Sequence, residues 1–271
     1  MPDLPVIGAQ LTVLDLDRHR DWLFEKDRDL ELPEFSMADI LAAPDPFVAM
    51  ARDKLDGWNG RLGIHGPYSG FELTVGDRDL RAVAQTRLTQ ALDVCEALGA
   101  VQMVIHSPFD RWDADNLSHG AKDRDKRAAA MLETLGPALK RAEDQGVVMV
   151  LENIKDVDPA DRAWVIEAAD SPALRLSVDT GHANWAHHRA DAPPPDRFIS
   201  AAGDALGHVH LQDTDGYADR HWVLGEGNIP WPAIFSALSG IKSDPHLIVE
   251  INEFHRVPEA VAHLEALGLA Q

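Results

Sequence analysis

The sequence has few cysteines, few tyrosines and no long apolar run. Cys95 is the single cysteine among 271 residues, so no disulfide can form within the chain and nothing indicates an oxidising compartment. The sequence contains no run of about 18 apolar residues, which a membrane-spanning helix would need. Met1 to Gln10 lacks the basic region followed by an apolar region that marks a secretory signal. We therefore expect a cytoplasmic protein that does not enter the membrane.

Basic residues are also scarce, with 25 lysines and arginines against 45 aspartates and glutamates, and the formal net charge is −20. This balance is unfavourable for binding a phosphate backbone by bulk electrostatics. Bound divalent cations would change that argument locally, because they bring positive charge to a cleft. Nucleic acid is therefore not the expected partner, and the sequence leaves the oligomeric state open.

Short β-branched runs alternate with longer amphipathic segments from end to end, as in repeated βα units around a parallel sheet. A (β/α)8 barrel uses about 250 residues as one domain, so we predict an α/β fold with a single TIM-barrel domain over residues 1–271. An open doubly wound sheet is the alternative, but Gly8-Ala9-Gln10-Leu11 offers no glycine-rich phosphate turn after the first strand. The predicted strands, of which the second has the weakest pattern, are Val6 to Val13, Leu30 to Ser36, Leu62 to Tyr68, Val101 to Ser107, Val147 to Ile154, Leu174 to Thr180, Leu206 to Gln212 and Leu247 to Asn252.

A clear helical pattern runs from Asp79 to Leu98. Gly99 follows it, and a glycine in that place can adopt the left-handed conformation that closes a helix. Apolar residues spaced three and four apart predict one core-facing stripe, formed by Leu80, Val83, Ala84, Leu88, Ala91, Leu92 and Cys95.

Three carboxylates fall late in predicted strands at positions that point toward the barrel axis. Because alternate residues of a barrel strand face inward, Glu152, Asp179 and Glu250 are expected to meet at the carboxyl ends of strands five, six and eight. Any one of them alone is compatible with an ordinary ion pair. Burying all three near one another without a cation would cost several kcal/mol each, so a metal ion or a strong counter-charge is expected.

Histidines reach the same end of the barrel. His210 faces inward on strand seven, and strands three and four close with His65 and His106. His208 also faces inward but is grouped with the histidines expected on the surface or in packing. Loop residues add three more candidate ligands, which are His182, Asp219 and His221. Imidazoles and carboxylates suit zinc or manganese, and nine such groups exceed the needs of one ion, so two or three metals are conceivable.

These motifs resemble the xylose isomerase-like barrel superfamily, which contains sugar-phosphate isomerases and epimerases together with apurinic-site endonucleases of the endonuclease IV type. The resemblance runs from His65 to Glu250. It is carried jointly by Leu151-Glu152-Asn153, Val178-Asp179-Thr180-Gly181-His182-Ala183, His208-Val209-His210-Leu211-Gln212-Asp213, and Asp219-Arg220-His221 leading into Leu224-Gly225-Glu226-Gly227-Asn228-Ile229.

In the isomerase and epimerase branch, the resemblance implies one catalytic metal held by Glu152, Asp179, His210 and Glu250. His182 and Arg220 would lie beside a sugar or sugar-derived substrate, with or without a phosphate group. The metal would bind adjacent substrate oxygens and stabilise an enediolate, while one glutamate removes a proton and the same or another returns it. Glu152 and Glu250 are the candidates.

In the endonuclease branch, the resemblance implies a trinuclear zinc site for phosphoester hydrolysis. All nine ligand positions are filled here, by His65, His106, Glu152, Asp179, His182, His210, Asp219, His221 and Glu250. The predicted loops at the mouth are acidic or mixed in charge, as in Asp110 to Asp115, whereas a DNA-binding mouth needs basic loops. The sequence therefore favours a metal-dependent sugar isomerase or epimerase, with the zinc phosphodiesterase as the alternative.

Tryptophans in predicted loops on the catalytic side are candidates to cover a sugar ring. They are Trp112, Trp185 and Trp222, and packing within the loops explains each of them equally well. Arg220, between two candidate ligands, is the best candidate cation for an anionic substrate group.

Overall fold

Eight parallel strands close into a barrel in the computed structural model, which describes residues 4–70, 72–117 and 121–271. The predicted (β/α)8 fold is therefore confirmed. The domain bounds 1–271 stay a prediction, and residues 1–3, 71 and 118–120 of that range lie outside the described residues. The strands are β1 (Gly8–Gln10), β2 (Leu30–Leu32), β3 (Leu62–His65), β4 (Gln102–His106), β5 (Val148–Glu152), β6 (Leu174–Asp179), β7 (Leu206–Leu211) and β8 (His246–Val249).

Helices surround the strands and connect them. The α-helices are α1 (Leu16–Glu25), α2 (Ala38–Ala42), α3 (Asp45–Lys54), α4 (Arg78–Leu98), α5 (Arg111–Leu117), α6 (Ala121–Gln145), α7 (Pro159–Ala169), α8 (Thr180–Ala190), α9 (Pro195–Ala202), α10 (Trp231–Leu238) and α11 (Val257–Ala266). Short 3₁₀ helices cover Glu34–Ser36, Gly203–Ala205 and Phe254–Arg256. Among the described residues, no helix has the length and apolar composition needed to cross a bilayer.

All eight predicted strands exist, but the paired segments are shorter than the apolar runs that predicted them. Ile7, Leu11 and Val13 flank β1, are fully buried and yet lie outside the strand. Such residues pack in the core without joining the hydrogen-bonded ladder, so hydrophobicity alone overestimates strand length. At the other end of the chain β8 stops at Val249, and Glu250 follows it directly.

Helix α4 matches its predicted range to one residue, and Gly99 closes it in the left-handed conformation with φ of 69°. The predicted stripe is wrong at its beginning, because Leu80 and Val83 are 60% and 51% exposed. A helix of 21 residues extends about 30 Å, well beyond the four-residue strand β3 that precedes it. The first turn of α4 lies exposed, and the buried face of the helix begins at Ala84.

The register of neighbouring strands decides which polar side chains become neighbours at the carboxyl ends. His106 of β4 pairs with Glu152 of β5, and Asp179 of β6 pairs with His210 of β7. On β7 the alternate residues Val209 and Leu211 are fully buried among the apolar side chains of the core. The barrel therefore brings residues from distant parts of the chain to one rim.

Candidate metal centre and active site

Three strand residues and the residue directly after β8 form the central cluster, which we define as Glu152, Asp179, His210 and Glu250. Each offers a ligand atom, and these atoms all lie within 4.8 Å of one another. Nδ1 of His210 lies 3.0 Å from Oε1 of Glu152 and 3.2 Å from Oε2 of Glu250. Glu152, Asp179 and His210 are almost completely buried, and Glu250 is partly exposed to the cavity above.

Two further groups adjoin the central cluster on either side. In the first, Nε2 of His106 lies 3.2 Å from Nε2 of His65 and 3.4 Å from Oε2 of Glu152. In the second, Asp219 contacts Nε2 of His182 at 3.3 Å and Nε2 of His221 at 3.1 Å. All nine ligand candidates of the sequence are thus brought together in three adjoining groups.

Local sequence explains how Asp179 and His182 meet. Asp179 is both the last residue of β6 and the N-cap of α8, where its Oδ1 accepts a hydrogen bond from the backbone N–H of His182. Asn153 holds Asp179 from the other side, donating from Nδ2 to its carbonyl oxygen and accepting from its N–H. The end of β6, the start of α8 and a candidate metal ligand therefore coincide at Asp179.

Gln212 links the central cluster to the second flanking group. Its Nε2 donates to Oδ1 of Asp179 at 3.2 Å and to Oδ1 of Asp219 at 3.0 Å, and its Oε1 accepts from the N–H of His221. The Cβ of an alanine in place of Gly181 would lie 2.3 Å from Cδ of Gln212. The glycine between Thr180 and His182 therefore leaves the space that this side chain occupies.

Burial and the surplus of carboxylates perturb the protonation of the cluster. Burial alone would lower the pKa of His210, but Glu250, Glu31 and Glu152 outweigh it and hold that pKa well above its ordinary value. Burial raises the pKa of Asp179 to about 6, and the negative charges of Glu152 and Glu250 add to the effect. The carboxylates thus compete for a limited supply of positive charge.

The donor set fits a divalent cation. Three carboxylates and one imidazole are ligands that zinc and manganese accept. Oε2 of Glu152 is buried and makes no hydrogen bond among the described residues, which leaves a lone pair available to a cation.

The cluster opens into a cavity of about 450 Å³, a volume in the range of small-molecule sites. Ligand candidates line the cavity together with Tyr68, Phe254 and Ile251, which supply apolar surface. The ring of Tyr68 stacks on His106 with ring centroids 4.2 Å apart. The combination of titratable groups and apolar surface in one cavity suits a small polar ligand.

The other substrate candidates of the sequence lie at different distances from this cavity. His182 lines it, whereas Arg220 pairs with Asp215 at 3.0 Å and lies over the ring of Trp222. Trp112 is 74% exposed and Trp185 packs partly buried against the core. The prediction that these two tryptophans lie in loops is wrong, because they belong to α5 and α8. Helix α8 begins directly after β6, and only residues 107–110 separate β4 from α5, so little loop is left.

Two buried polar residues of the barrel interior were missed in the sequence. Glu31 of β2 lies 3.0 Å from Nε2 of His210 and 3.2 Å from Nε2 of His208, and Gln10 of β1 donates to it. The alternation Leu30-Glu31-Leu32 could have revealed Glu31 as inward-facing, but this was the weakest strand pattern. His208 is fully buried and packs inside the barrel beside Glu31, so of its two expected places the structure selects packing.

Comparison with known proteins agrees with this architecture. A family model described as "Xylose isomerase-like TIM barrel" matches residues 26–267. An L-ribulose 3-epimerase of a Methylomonas strain is 28% identical over 217 residues, which cover 74% of this chain and 68% of that protein. More generally, the chain spans about two thirds of the length of the first curated relatives that it matches.

Solved structures match over nearly the whole chain. The TTHB071 protein of Thermus thermophilus, in a structure obtained by soaking with ZnCl2, is 26% identical with a TM-score of 0.74, and the match covers 98% of this chain and 99% of that one. A D-tagatose 3-epimerase-like protein has a TM-score of 0.75 at 22% identity, covering 97% of this chain and 96% of that one, which bears on the fold alone. Because the family model matches most of the sequence, the chain belongs to the xylose isomerase-like TIM barrel family.

Proposed function

We propose that this protein is a divalent-metal-dependent epimerase or isomerase of a sugar or sugar derivative. One observation carries the proposal: Glu152 of β5 and Glu250 after β8 approach the same nitrogen of His210 within 3.2 Å, and both carboxylates line the cavity. Epimerisation beside a carbonyl needs one group that removes a proton and another that returns it. The epimerases among the relatives that the chain matches support this reaction class.

The metal would be held by the central cluster, and we propose zinc or manganese as its identity. When bound, such an ion supplies a Lewis acid that polarises substrate oxygens. Oε2 of Glu152, which lacks a hydrogen-bond partner among the described residues, supports a ligand role for this carboxylate. His65, His106, His182, Asp219 and His221 are the proposed additional ligands if a second or third ion binds.

Two carboxylates would share the proton transfer. We assign removal of the proton beside the substrate carbonyl to one of Glu152 and Glu250, and its return to the other. Both carboxylates border the cavity, but their surroundings differ: Glu152 is 1% exposed and lies against three histidines, whereas Glu250 is 13% exposed and accepts a hydrogen bond from Gln10. The apolar surface of Tyr68 and Phe254 would limit the access of water during the transfer.

His182 is the substrate-binding candidate best supported by position, because it lines the cavity. Arg220 would have to exchange its contact with Asp215 for an anionic substrate group. Trp112 and Trp185 remain proposals as ring-covering residues.

The test is exchange of a carbon-bound substrate proton with solvent deuterium, followed by NMR on a panel of ketoses and ketose phosphates with added Mn²⁺ or Zn²⁺. Exchange and a changed stereocentre are expected in at least one substrate. Glu152→Gln and Glu250→Gln should each lower the rate about 10²- to 10⁴-fold, the typical contribution of general acid–base catalysis. Glu253→Gln, which removes the same charge three residues from Glu250 on an exposed side chain, is the matched control and should keep the rate. Lack of exchange across the whole panel would contradict the proposal.

A second candidate function is phosphoester hydrolysis of the apurinic-site endonuclease type. It is favoured by the convergence of all nine candidate ligands in three adjoining groups, since a trinuclear site needs more ligands than a single ion uses. Against it stand the net charge of −20 and the pairing of Arg220 with Asp215 near the mouth. Incision of an abasic oligonucleotide, together with three zinc ions per chain by elemental analysis, would favour this candidate over the epimerase.

A further inference from the structure

Glu31 is a carboxylate buried inside the barrel, at the side of His210 that faces away from the central cluster. It is 2% exposed and lies on β2, which contributes no member of that cluster. Its Oε1 lies 3.0 Å from Nε2 of His210, and its Oε2 lies 3.2 Å from Nε2 of His208. A carboxylate removed so completely from water is costly unless its neighbours donate to it.

The two nitrogens of His210 face opposite partners. Nδ1 points to Glu152 and Glu250, whereas Nε2 points to Glu31. An imidazole that ligates a cation through Nδ1 must carry its remaining proton on Nε2. A carboxylate that accepts this proton in a hydrogen bond selects that tautomer, fixes the ring plane and makes the ligating nitrogen more basic.

Gln10 completes the arrangement and shows which role Glu31 has. Its Nε2 donates to Oε1 of Glu31 at 2.9 Å and to Oε1 of Glu250 at 2.8 Å. The group between two carboxylates has to be the amide N–H₂, because an amide oxygen there would face two oxygens. A donor directed at Oε1 of Glu31 disfavours a cation beside this oxygen, although Glu31, His208 and His210 are close enough to one another to hold one.

We propose that Glu31 is a positioning residue that orients His210 and raises the affinity of the central cluster for its divalent ion. The inference rests on the proposed metal centre, and it adds a residue that acts on the metal through a ligand. His208, whose Nδ1 lies 2.8 Å from Ser177 Oγ, packs against the other oxygen of Glu31 with its Nε2 at 3.2 Å. Gln10 ties the same carboxylate to Glu250, so that two ligands from β7 and the end of β8 are oriented together.

The experiment measures metal affinity directly, without substrate. The purified apoprotein is titrated with Co²⁺ and followed by visible absorption, and with Mn²⁺ followed by electron paramagnetic resonance. Glu31→Gln keeps the shape but removes the charge, and Glu31→Leu also removes the acceptor. We expect the Kd to rise about 10-fold for Glu31→Gln and up to about 100-fold for Glu31→Leu, the range typical of partners that orient a ligating histidine. The Co²⁺ absorption bands should shift in both variants, which a general loss of stability would not cause.

Glu34→Gln is the matched control, because Glu34 is a buried carboxylate just after β2 that accepts from the N–H of Val13 and lies outside the three groups. Its Kd should equal that of the wild type.

If neither Glu31→Gln nor Glu31→Leu folds by circular dichroism, Gln10→Leu is used. A rise in Kd of several-fold is then expected, because the carboxylate of Glu31 loses the hydrogen bond that Gln10 donates. An unchanged Kd and unchanged bands in a folded variant would overturn the proposal for Glu31. Two Co²⁺ ions per wild-type chain with one lost in Glu31→Leu would make Glu31 a ligand, which also overturns it. No binding by the wild type would instead refute the metal centre, so the two failures are distinguishable.

Discussion

Asp161 shows at the scale of one residue what burial costs when the compensating charge is incomplete. Its side chain on α7 is 2% exposed, and its nearest cation is Nε of Arg124 at 3.3 Å. Arg124 also contacts Asp158, so its charge is shared between two carboxylates. Burial, followed by repulsion from Asp158, raises the pKa of Asp161 to about 6.

This raised pKa predicts a pH dependence of stability. The folded pKa of about 6 exceeds the ordinary value of 3.8, so the folded protein binds a proton more tightly than the unfolded chain. Stability from this group is therefore present below about pH 4 and decreases as the pH rises to about 6. Asp161→Asn should remove this decrease. The free energy of unfolding of the variant minus that of the wild type should therefore be about 1–3 kcal/mol larger at pH 7.5 than at pH 4. Urea unfolding at the two pH values measures this.

Asp125→Asn is the control, because Asp125 lies exposed on the neighbouring helix α6. It should follow the wild-type profile. Parallel profiles of wild type and Asp161→Asn would show that Asp161 titrates like a solvated carboxylate in the folded protein.

At the scale of secondary-structure elements, the ends of α4 are fixed by two specific residues. The carboxylate of Asp77 accepts from the backbone N–H groups of Asp79 and Leu80, and Gly99 ends the helix. The first turn of α4 lies exposed, and Leu80 and Val83 add little packing. This part of the helix therefore depends on its cap more than a fully packed helix does.

Asp77→Ala should destabilise the protein by about 0.5–2 kcal/mol, the usual cost of losing such a cap. The midpoint of urea denaturation measures the change, with no change expected in the dependence on denaturant concentration. Arg78→Ala alters a neighbouring side chain that is 93% exposed and should change stability by less than about 0.5 kcal/mol. Equal effects of the two substitutions would contradict the role of Asp77.

At the scale of the whole molecule, a net charge of −20 is combined with several carboxylates at one end of the barrel. A cation bound in the proposed site would be held by β5, β6, β7 and the residue after β8 at once. Because the unfolded chain does not hold these ligands together, metal binding should be coupled to global stability.

Mn²⁺ or Zn²⁺ at about 100 times its Kd should therefore stabilise the fold by about 2.7 kcal/mol and raise the melting temperature by several degrees. Asp179→Asn should abolish this shift. The metal-free variant should melt no lower than the metal-free wild type, because burial already disfavours the charge of Asp179 and an asparagine can also cap α8. Differential scanning calorimetry with and without metal measures both quantities. Asp191→Asn, at a carboxylate 97% exposed, serves as control, and a shift of equal size in Asp179→Asn would refute the assignment.

Local sequence determined the barrel and much of its rim. Alternation along each strand and glycine stops after helices are local patterns, so they predicted eight strands and the helix ending before Gly99. The same alternation predicted the side of β5 and β6 on which Glu152 and Asp179 lie. Hydrophobicity does not encode hydrogen-bond pairing, however, and the strand bounds were therefore too long.

Tertiary structure decided which residues meet across the barrel. Glu31 and His210 are 179 positions apart and touch because closure of the barrel places β2 opposite β7. A local sequence pattern does not predict the contact between Glu31 and His210, because the contact depends on the register of every intervening strand. That register includes the irregularity between Leu176 and Ser177. Exposure is equally a property of the assembled surface, which is why Trp112 lies mostly in solvent although its sequence position suggested a substrate contact.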